Sequence, residues 1–128
     1  MFVRSLLEQS RTVWHSMLTS ENEHDLERVQ KSAVRIISKN NYRNYEKECN
    51  RLNLISLKDR REMLCLSLAK KSINNPKMAH LFVKNDKKHE MKTRYPESYI
   101  VNHANTSRLQ NSPIIYMQRI LNEYLRKQ

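Results

Sequence analysis

The sequence predicts an all-α protein, a small bundle of about four main helices with a basic extended arm and a C-terminal helix. Glycine is absent from the 128 residues, whereas about 7% is typical. Because hairpin turns and phosphate-binding loops depend on glycine, a β-rich fold or a P-loop is disfavoured. Only three prolines interrupt the chain. Apolar residues recur three and four positions apart, which is the spacing of one face of a helix.

A first amphipathic helix is predicted near the N-terminus. Its apolar face comprises Phe2, Val3, Leu6, Leu7, Val13, Trp14, Met17 and Leu18. Because this face begins at the second residue, with no polar lead-in, we expect the chain to be the tail of something longer.

A second helix is predicted over about residues 21–38. Ser20 and Glu23 have the spacing of a capping box, and acidic residues crowd the first turn, where the helix dipole favours them. The Asn40-Asn41 pair is the predicted stop. The predicted core face comprises Leu26, Val29, Ala33, Ile36 and Ile37.

A row of basic residues follows the same helix, in the stretch DLERVQKSAVRIISKN at 25–40. The row, here called the basic stripe, consists of Arg28, Lys31, Arg35 and Lys39. At about 100° per residue the basic stripe is predicted to lie almost opposite the core face.

Two further helices are predicted in the next third of the chain. One covers about 44–52 and presents Tyr45, Cys49 and Leu52. The other opens at a capping box, Ser56 with Asp59, and runs to about Asn74. Its segment MLCLSLA at 63–69 is apolar almost all the way round, which predicts that this helix is the central one.

Composition divides the chain into a helical domain at 1–75, a basic arm at 76–111 and a C-terminal helix at 112–128. The arm has few large apolar residues, and a short helix is predicted near 78–82. Ser112 and Pro113 suit the N-cap and first position of the last helix. The predicted apolar face of that helix comprises Ile114, Met117, Leu121, Tyr124 and Leu125.

The charge balance indicates the partner. The chain has 24 Lys and Arg against 13 Asp and Glu, a formal net charge of +11. Such an excess favours a polyanion, with nucleic acid ahead of a membrane surface. No long apolar run or signal-peptide layout occurs, so we expect neither membrane insertion nor secretion. Cys49 and Cys65 are interpreted as buried reduced thiols, which suits an intracellular protein, cytoplasmic or nuclear.

No catalytic or metal-binding pattern is recognisable. Nucleophile elbows require glycine, the acids are scattered among helix first turns, and the histidines never repeat at ligand spacing. We therefore expect no catalytic residue, no metal and no cofactor. The predicted nucleic-acid-binding residues are the basic stripe and the basic residues of the arm: Arg28, Lys31, Arg35, Lys39, Lys84, Lys87, Lys88, Lys92 and Arg94.

Two alternatives remain open. The helices at 44–52 and from residue 57 onward could form a helix-turn-helix DNA reader, with Lys58, Arg60 and Arg61 starting its recognition helix. The chain could also be a structural helical interaction module whose basic stripe is only solvated.

Several strings in order resemble one family. They are FVRSLLEQSRTVWHSMLTSENEHDLERVQKSAVRII at 2–37, NYEKECNRLNLISLKDRREMLCL at 44–66, KKHEMKTR at 87–94, VNHANTSRLQNS at 101–112 and YMQRILN at 116–122. These strings resemble the region after the catalytic palm in jockey-like non-LTR retrotransposon reverse transcriptases, and they span nearly the whole chain.

The resemblance implies a thumb-like helical segment with a basic tail, from an RNA-directed DNA polymerase. In that family the thumb packs against the palm and contacts the backbone of the template-primer duplex. The family's catalytic aspartates lie upstream, in a Tyr/Phe-x-Asp-Asp motif, and no Asp-Asp pair occurs here. We therefore expect a non-catalytic fragment that binds template-primer phosphates without sequence preference.

Overall fold

The structure, a computed structural model, describes residues 8, 10–39, 42–85 and 98–127. The helices are α1 (Arg11–Trp14), α2 (Ser20–Ser38), α3 (Tyr45–Arg51), α4 (Leu57–Ile73), α5 (Ser107–Gln110) and α6 (Pro113–Arg126). Short 3-10 helices cover His15–Met17 and Ala79–Leu81. The all-α prediction is confirmed.

Contacts along the chain group its residues into two compact units. Unit 1 contains Met1–Arg11 and Leu18–Met63, and unit 2 contains Thr12–Met17 and Leu64–Gln128. The division at residues 75 and 111, which rests on composition, stays a prediction. No helix among the described residues is long and apolar enough to cross a membrane.

The N-terminal helix differs from the prediction where it is described. Only Arg11–Trp14 is α-helical there, and it continues as the 3-10 helix. Val13 is 59% exposed and Met17 is 49% exposed, so the predicted apolar face is wrong at these two positions. The residue that is buried instead is His15, whose Nε2 lies 3.1 Å from the hydroxyl of Tyr116 within unit 2. Residues 2–7 of the predicted face lie outside the described residues.

The start of α2 is set by Thr19. Its side-chain oxygen accepts a hydrogen bond of 3.3 Å from the backbone N–H of Asn22, which makes Thr19 the N-cap. The predicted capping box, Ser20 with Glu23, is therefore wrong by one residue. At the other end, Lys39 has a positive φ of 44° and donates its N–H to the carbonyl of Arg35. The Asn40-Asn41 pair lies outside the described residues.

The buried side of α2 is not the predicted core face. Gln30, Val34 and Ser38, spaced four apart, are the buried residues of the helix. Polar residues can be buried here because each is hydrogen-bonded by α3, Gln30 by the Tyr45 hydroxyl and Ser38 by the Glu48 carboxylate. The predicted core face is wrong at three positions, which are exposed: Val29, Ile36 and Ile37.

Helix α3 follows the prediction closely. Asn44 caps it by accepting a hydrogen bond from the N–H of Glu46, and Tyr45 and Cys49 face the interior of unit 1. Both Cys49 and Cys65 are buried free thiols, as expected.

The capping prediction for α4 is confirmed. The Ser56 hydroxyl accepts from the N–H of Asp59 at 3.1 Å and donates to its carboxylate at 2.8 Å. A single line of residues along α4 is buried: Leu57, Arg61, Cys65, Ala69 and Ser72. Met63, in the apolar segment from which a central helix was predicted, is 62% exposed, so the prediction is wrong at this position.

Unit 2 has a small apolar core. It consists of Ala69 from α4, Phe82 after the second 3-10 helix, and Met117 and Leu121 from α6. Ser112 and Pro113 start α6 as predicted. Met117 and Leu121 confirm part of its predicted apolar face, whereas the buried residues Ile115 and Gln118 were not in the prediction.

The described parts of segment 76–111 bury more side-chain surface than the predicted extended arm would. The 3-10 helix confirms the predicted short helix, and the buried Phe82 lies beside Tyr99, with ring centroids 6.3 Å apart. Lys84 and Tyr99 form an isolated antiparallel bridge. This bridge joins the two chain segments on either side of 86–97, which lies outside the described residues.

Candidate nucleic-acid interface

The basic stripe lies along one side of α2 in unit 1. Arg28, Arg35 and Lys39 are exposed, and Lys31 is half-buried. At about 100° per residue, Lys31 and Arg35 lie only about 60° and 100° from the buried Val34. The predicted placement almost opposite the core is therefore wrong, because the basic stripe flanks the side of α2 that packs on α3.

Two tyrosines lie beside the basic stripe. The Nζ of Lys31 is 5.3 Å from the centroid of the Tyr45 ring, and the Cζ of Arg35 is 5.4 Å from that of Tyr42. Cation–π contacts of this kind stabilise exposed sites by about 0.5–1 kcal/mol. These contacts restrict the side-chain conformations of Lys31 and Arg35, while their N–H donors stay available to an anion. Sequence reasoning missed these tyrosines, although basic residues with aromatics nearby in sequence are a signal for such a surface.

The Tyr45 ring is fixed by its hydroxyl. The hydroxyl accepts a hydrogen bond of 2.8 Å from Nε2 of Gln30 and donates one to the carboxylate of Glu27. Burial, followed by this bond to Glu27, raises the pKa of Tyr45 far above its ordinary value of 10.0. The ring beneath Lys31 therefore stays neutral at physiological pH.

Carboxylates neutralise little of the basic stripe. Arg28 pairs with Asp25 at 3.2 Å, but the two side chains are 69% and 60% exposed, so the pair contributes little stability. Among the salt bridges of the described residues, none includes Lys31, Arg35 or Lys39. Their positive charge is thus available to a polyanion.

The cations at the start of α4 have a different environment. Lys58 lies 3.5 Å from Glu23, and Arg61, only 1% exposed, lies 3.9 Å from the same carboxylate. Arg60 forms an ion pair of 2.6 Å with the buried Glu8. These three residues were the predicted base-reading positions of a helix-turn-helix. Here each of the three lies within 4 Å of a carboxylate in unit 1, and Arg61 is inaccessible to DNA.

Of the predicted basic residues of the arm, the structure describes Lys84. Lys84 belongs to unit 2, where it is half-buried at the bridge with Tyr99. Lys87, Lys88, Lys92 and Arg94 lie outside the described residues. Among the described residues, the candidate interface is therefore the basic stripe with Tyr42 and Tyr45.

Metal-ligating side chains do not cluster in the described ranges. Within these ranges, no group of three or more His, Cys, Asp and Glu residues is placed to hold a metal ion. The acids near the candidate interface instead bond to protein groups, as Glu27 does to Tyr45 and Glu48 to Ser38.

Comparison with models of known protein families, with curated proteins and with solved structures finds no match to this chain.

Proposed function

We propose that this chain is a non-catalytic, thumb-like segment of a non-LTR retrotransposon reverse transcriptase that holds template-primer nucleic acid by its backbone phosphates. In the parent polymerase it would pack against the palm, which carries the catalytic aspartates. The polymerase assignment comes from the sequence resemblance. The phosphate-binding role is supported by the layout of unit 1.

The observation that carries the proposal is the row of cations on one rigid helix. From Arg28 to Lys39 the basic stripe is about 16 Å long, at about 1.5 Å per residue. One strand of a duplex presents a phosphate about every 3.4 Å along its axis, so the basic stripe covers about five phosphates. Four cations in this register suit backbone contacts, which position a duplex without reading its sequence.

The distribution of acids in unit 1 supports the same role. Glu8, Glu23 and Glu48 pair with arginines of α3 and α4, while Lys31, Arg35 and Lys39 have no carboxylate partner among the described residues. Positive charge without a carboxylate partner therefore lies along the C-terminal half of α2. A purely solvated helix would need no such segregation of charge.

The proposal is tested by the salt dependence of binding. Binding of the full chain to an RNA–DNA duplex would be measured by fluorescence anisotropy at several salt concentrations. With four phosphate contacts, affinity should fall roughly a hundredfold from about 50 to about 200 mM salt. A Kd that barely changes over this range would contradict the proposal.

A matched pair of double variants localises the contacts. Lys31→Glu with Arg35→Glu should halve the salt slope, because two of four phosphate contacts are lost. Lys71→Glu with Lys77→Glu makes the same change in net charge at exposed positions of unit 2 and should leave the slope unchanged. Equal losses for both pairs would show that net charge alone, and not the basic stripe, drives binding.

The helix-turn-helix alternative makes the opposite prediction about sequence. A reader should prefer its own site over random DNA by roughly a thousandfold or more. The ion pairs of Lys58, Arg60 and Arg61 with Glu23 and Glu8 favour a backbone binder instead. In a selection from random duplexes, we therefore expect no enriched sequence.

A further inference from the structure

The described part of unit 2 has very few acidic residues. It contains eight Lys and Arg but a single carboxylate side chain, that of Glu123. The described part of unit 1 contains eleven Lys and Arg and nine Asp and Glu, so its charges nearly balance. Most of the positive excess of the described residues therefore lies in unit 2, and not in the unit that contains the basic stripe.

Acids are absent from unit 2 even where they would stabilise a helix. A carboxylate in the first turn interacts favourably with the helix dipole. The helices α2, α3 and α4, which begin in unit 1, follow this rule with Glu21, Glu46 and Asp59. The first turns of α5 and α6 in unit 2 contain no acid. Because charge of a single sign destabilises a compact unit by self-repulsion, this distribution favours an anionic ligand and not stability.

Two lysines of unit 2 lie beside one tyrosine ring. The Nζ of Lys70, on α4, is 3.5 Å from the centroid of the Tyr124 ring, on α6. Lys127 follows Tyr124 by three residues, which places both on one side of the end of α6. Both lysines are exposed, and Tyr124 is half-buried. None of the salt bridges between described residues includes Lys70 or Lys127.

Exposed neutral side chains continue this surface along α4. Ser67 stands three residues before Lys70 and Asn74 four residues after it, so the three share one side of the helix. At about 100° per residue, this side is opposite the buried line of α4. The surface, here called the α4–α6 face, consists of Ser67, Lys70, Asn74, Tyr124 and Lys127. It combines cations with neutral hydrogen-bonding groups and contains no acid.

We propose that the α4–α6 face binds single-stranded nucleic acid. This goes beyond the proposed function, which assigns a duplex to the basic stripe of unit 1, and does not depend on it. The lysines complement the phosphates of a strand. An ammonium group has three N–H donors, so Lys70 can pack on the Tyr124 ring and still donate to a phosphate.

The layout of the α4–α6 face favours a single strand over a duplex. Lys70 and Lys127 lie on different helices with a ring between them, whereas the basic stripe is a straight row on one helix. A duplex presents its phosphates in a regular row, but a single strand is flexible enough to follow separated cations. Ser67 and Asn74 can also hydrogen-bond to base edges, which an unpaired strand exposes.

The proposal is tested with an oligouridine of about 12 nucleotides, which forms no duplex. Fluorescence anisotropy would give the slope of log K against log salt for the full chain. Lys70→Gln with Lys127→Gln should lower the magnitude of this slope by about 1.4, since each phosphate contact to a single strand contributes about 0.7. The same variant should keep the slope of the parent chain for an RNA–DNA duplex.

The matched control is Arg108→Gln with Arg119→Gln. These variants make the same change in net charge at exposed positions of unit 2 outside the α4–α6 face, so they should leave the oligouridine slope unchanged. Circular dichroism would establish that every variant keeps its helices. If the duplex slope is flat while the oligouridine slope responds as stated, only the proposed function fails.

Tyr124 acts as a positioning residue for Lys70. Tyr124→Leu should weaken oligouridine binding about two- to fivefold, because it removes the cation–π contact, and Tyr124→Phe should bind like the parent. An oligouridine slope that does not change in Lys70→Gln with Lys127→Gln overturns the proposal, as do equal losses in the control pair or on the duplex. Binding to phosphatidylserine vesicles in place of oligouridine would assign the face to a membrane surface and would also overturn it.

Discussion

The hydroxyl of Tyr45 on α3 donates a hydrogen bond to the carboxylate of Glu27 on α2. The other carboxylate oxygen of Glu27 accepts the backbone N–H of Leu57, at 3.2 Å, where α4 begins. The Glu27 carboxylate thus links three helices of unit 1, namely α2, α3 and α4. It also holds the Tyr45 ring at the position where Lys31 contacts it.

Tyr45→Phe should lower the free energy of unfolding by about 1–3 kcal/mol, because Glu27 and Gln30 lose a partner away from water. Urea unfolding followed by circular dichroism measures this change. Tyr42→Phe is the control, since it removes a hydroxyl from the other ring that lies under a basic-stripe cation. Similar losses in both variants would mean that the bond to Glu27 contributes nothing specific.

The same hydrogen bond predicts that the stability of the fold decreases at alkaline pH. Because the folded-state pKa of Tyr45 is raised above 10.0, the folded chain keeps a proton that the unfolded chain loses. Its stabilising contribution is therefore complete below pH 10.0 and is lost as the pH rises beyond that value. Tyr45→Phe should make this alkaline loss of stability shallower.

Local signals in the sequence predict the helices well. Ser56 caps α4 with its hydroxyl as predicted, because a short polar side chain there replaces a missing backbone partner. Ser112 and Pro113 stand at the predicted start of α6, although Ser112 makes no side-chain cap bond. The one misplaced cap, at α2, involves adjacent hydroxyl residues, Thr19 and Ser20. Either of them can accept the same bond, so only the fold determines which one does.

Burial is harder to predict than helix bounds. Apolar periodicity favoured Val29, Ile36 and Ile37 as the core of α2, but the fold buries Gln30 and Ser38 instead. Their burial depends on partners supplied by α3, the Tyr45 hydroxyl and the Glu48 carboxylate. A pattern within one helix contains no information about such partners. The sequence identified the basic stripe correctly as a row. Its angle to the core could not be predicted, because that angle depends on the contacts between α2 and α3.

Glu48 gives a prediction for acidic pH. The bond of 2.7 Å from the Ser38 hydroxyl, followed by the bond from Arg51, lowers the pKa of its carboxyl below the ordinary 4.5. The stabilising contribution is therefore present above pH 4.5 and is lost as the pH falls through the lowered folded-state value.

The variant Glu48→Gln should be less stable than the parent at neutral pH, and the difference should shrink in acid because the parent loses this contribution there. Urea midpoints across the acid range measure both effects. Glu46→Gln, at an exposed position in the first turn of the same helix, is the control and should not reproduce the loss. A constant difference at every pH would show that protonation of Glu48 is not coupled to folding.

Asn122 on α6 gives a prediction for unit 2. Its amide accepts the N–H of Tyr99 at 2.7 Å and donates to the carbonyl of Tyr99 at 2.8 Å, so it bonds the backbone as a second strand would. Tyr99 in turn forms the bridge to Lys84. Removal of the amide should therefore loosen this bridge as well as the contact with α6.

Asn122→Ala should lower the free energy of unfolding of unit 2 by about 1–3 kcal/mol, since two half-buried backbone groups lose their partners. Hydrogen exchange locates the effect. The Ile100 and Asn85 amides, which bond to the Val83 and Ser98 carbonyls, should exchange faster. Glu123→Ala, at the exposed neighbouring position, should leave both rates unchanged. Unchanged exchange in Asn122→Ala would mean that the bridge closes without α6, and that the amide follows the backbone instead of positioning it.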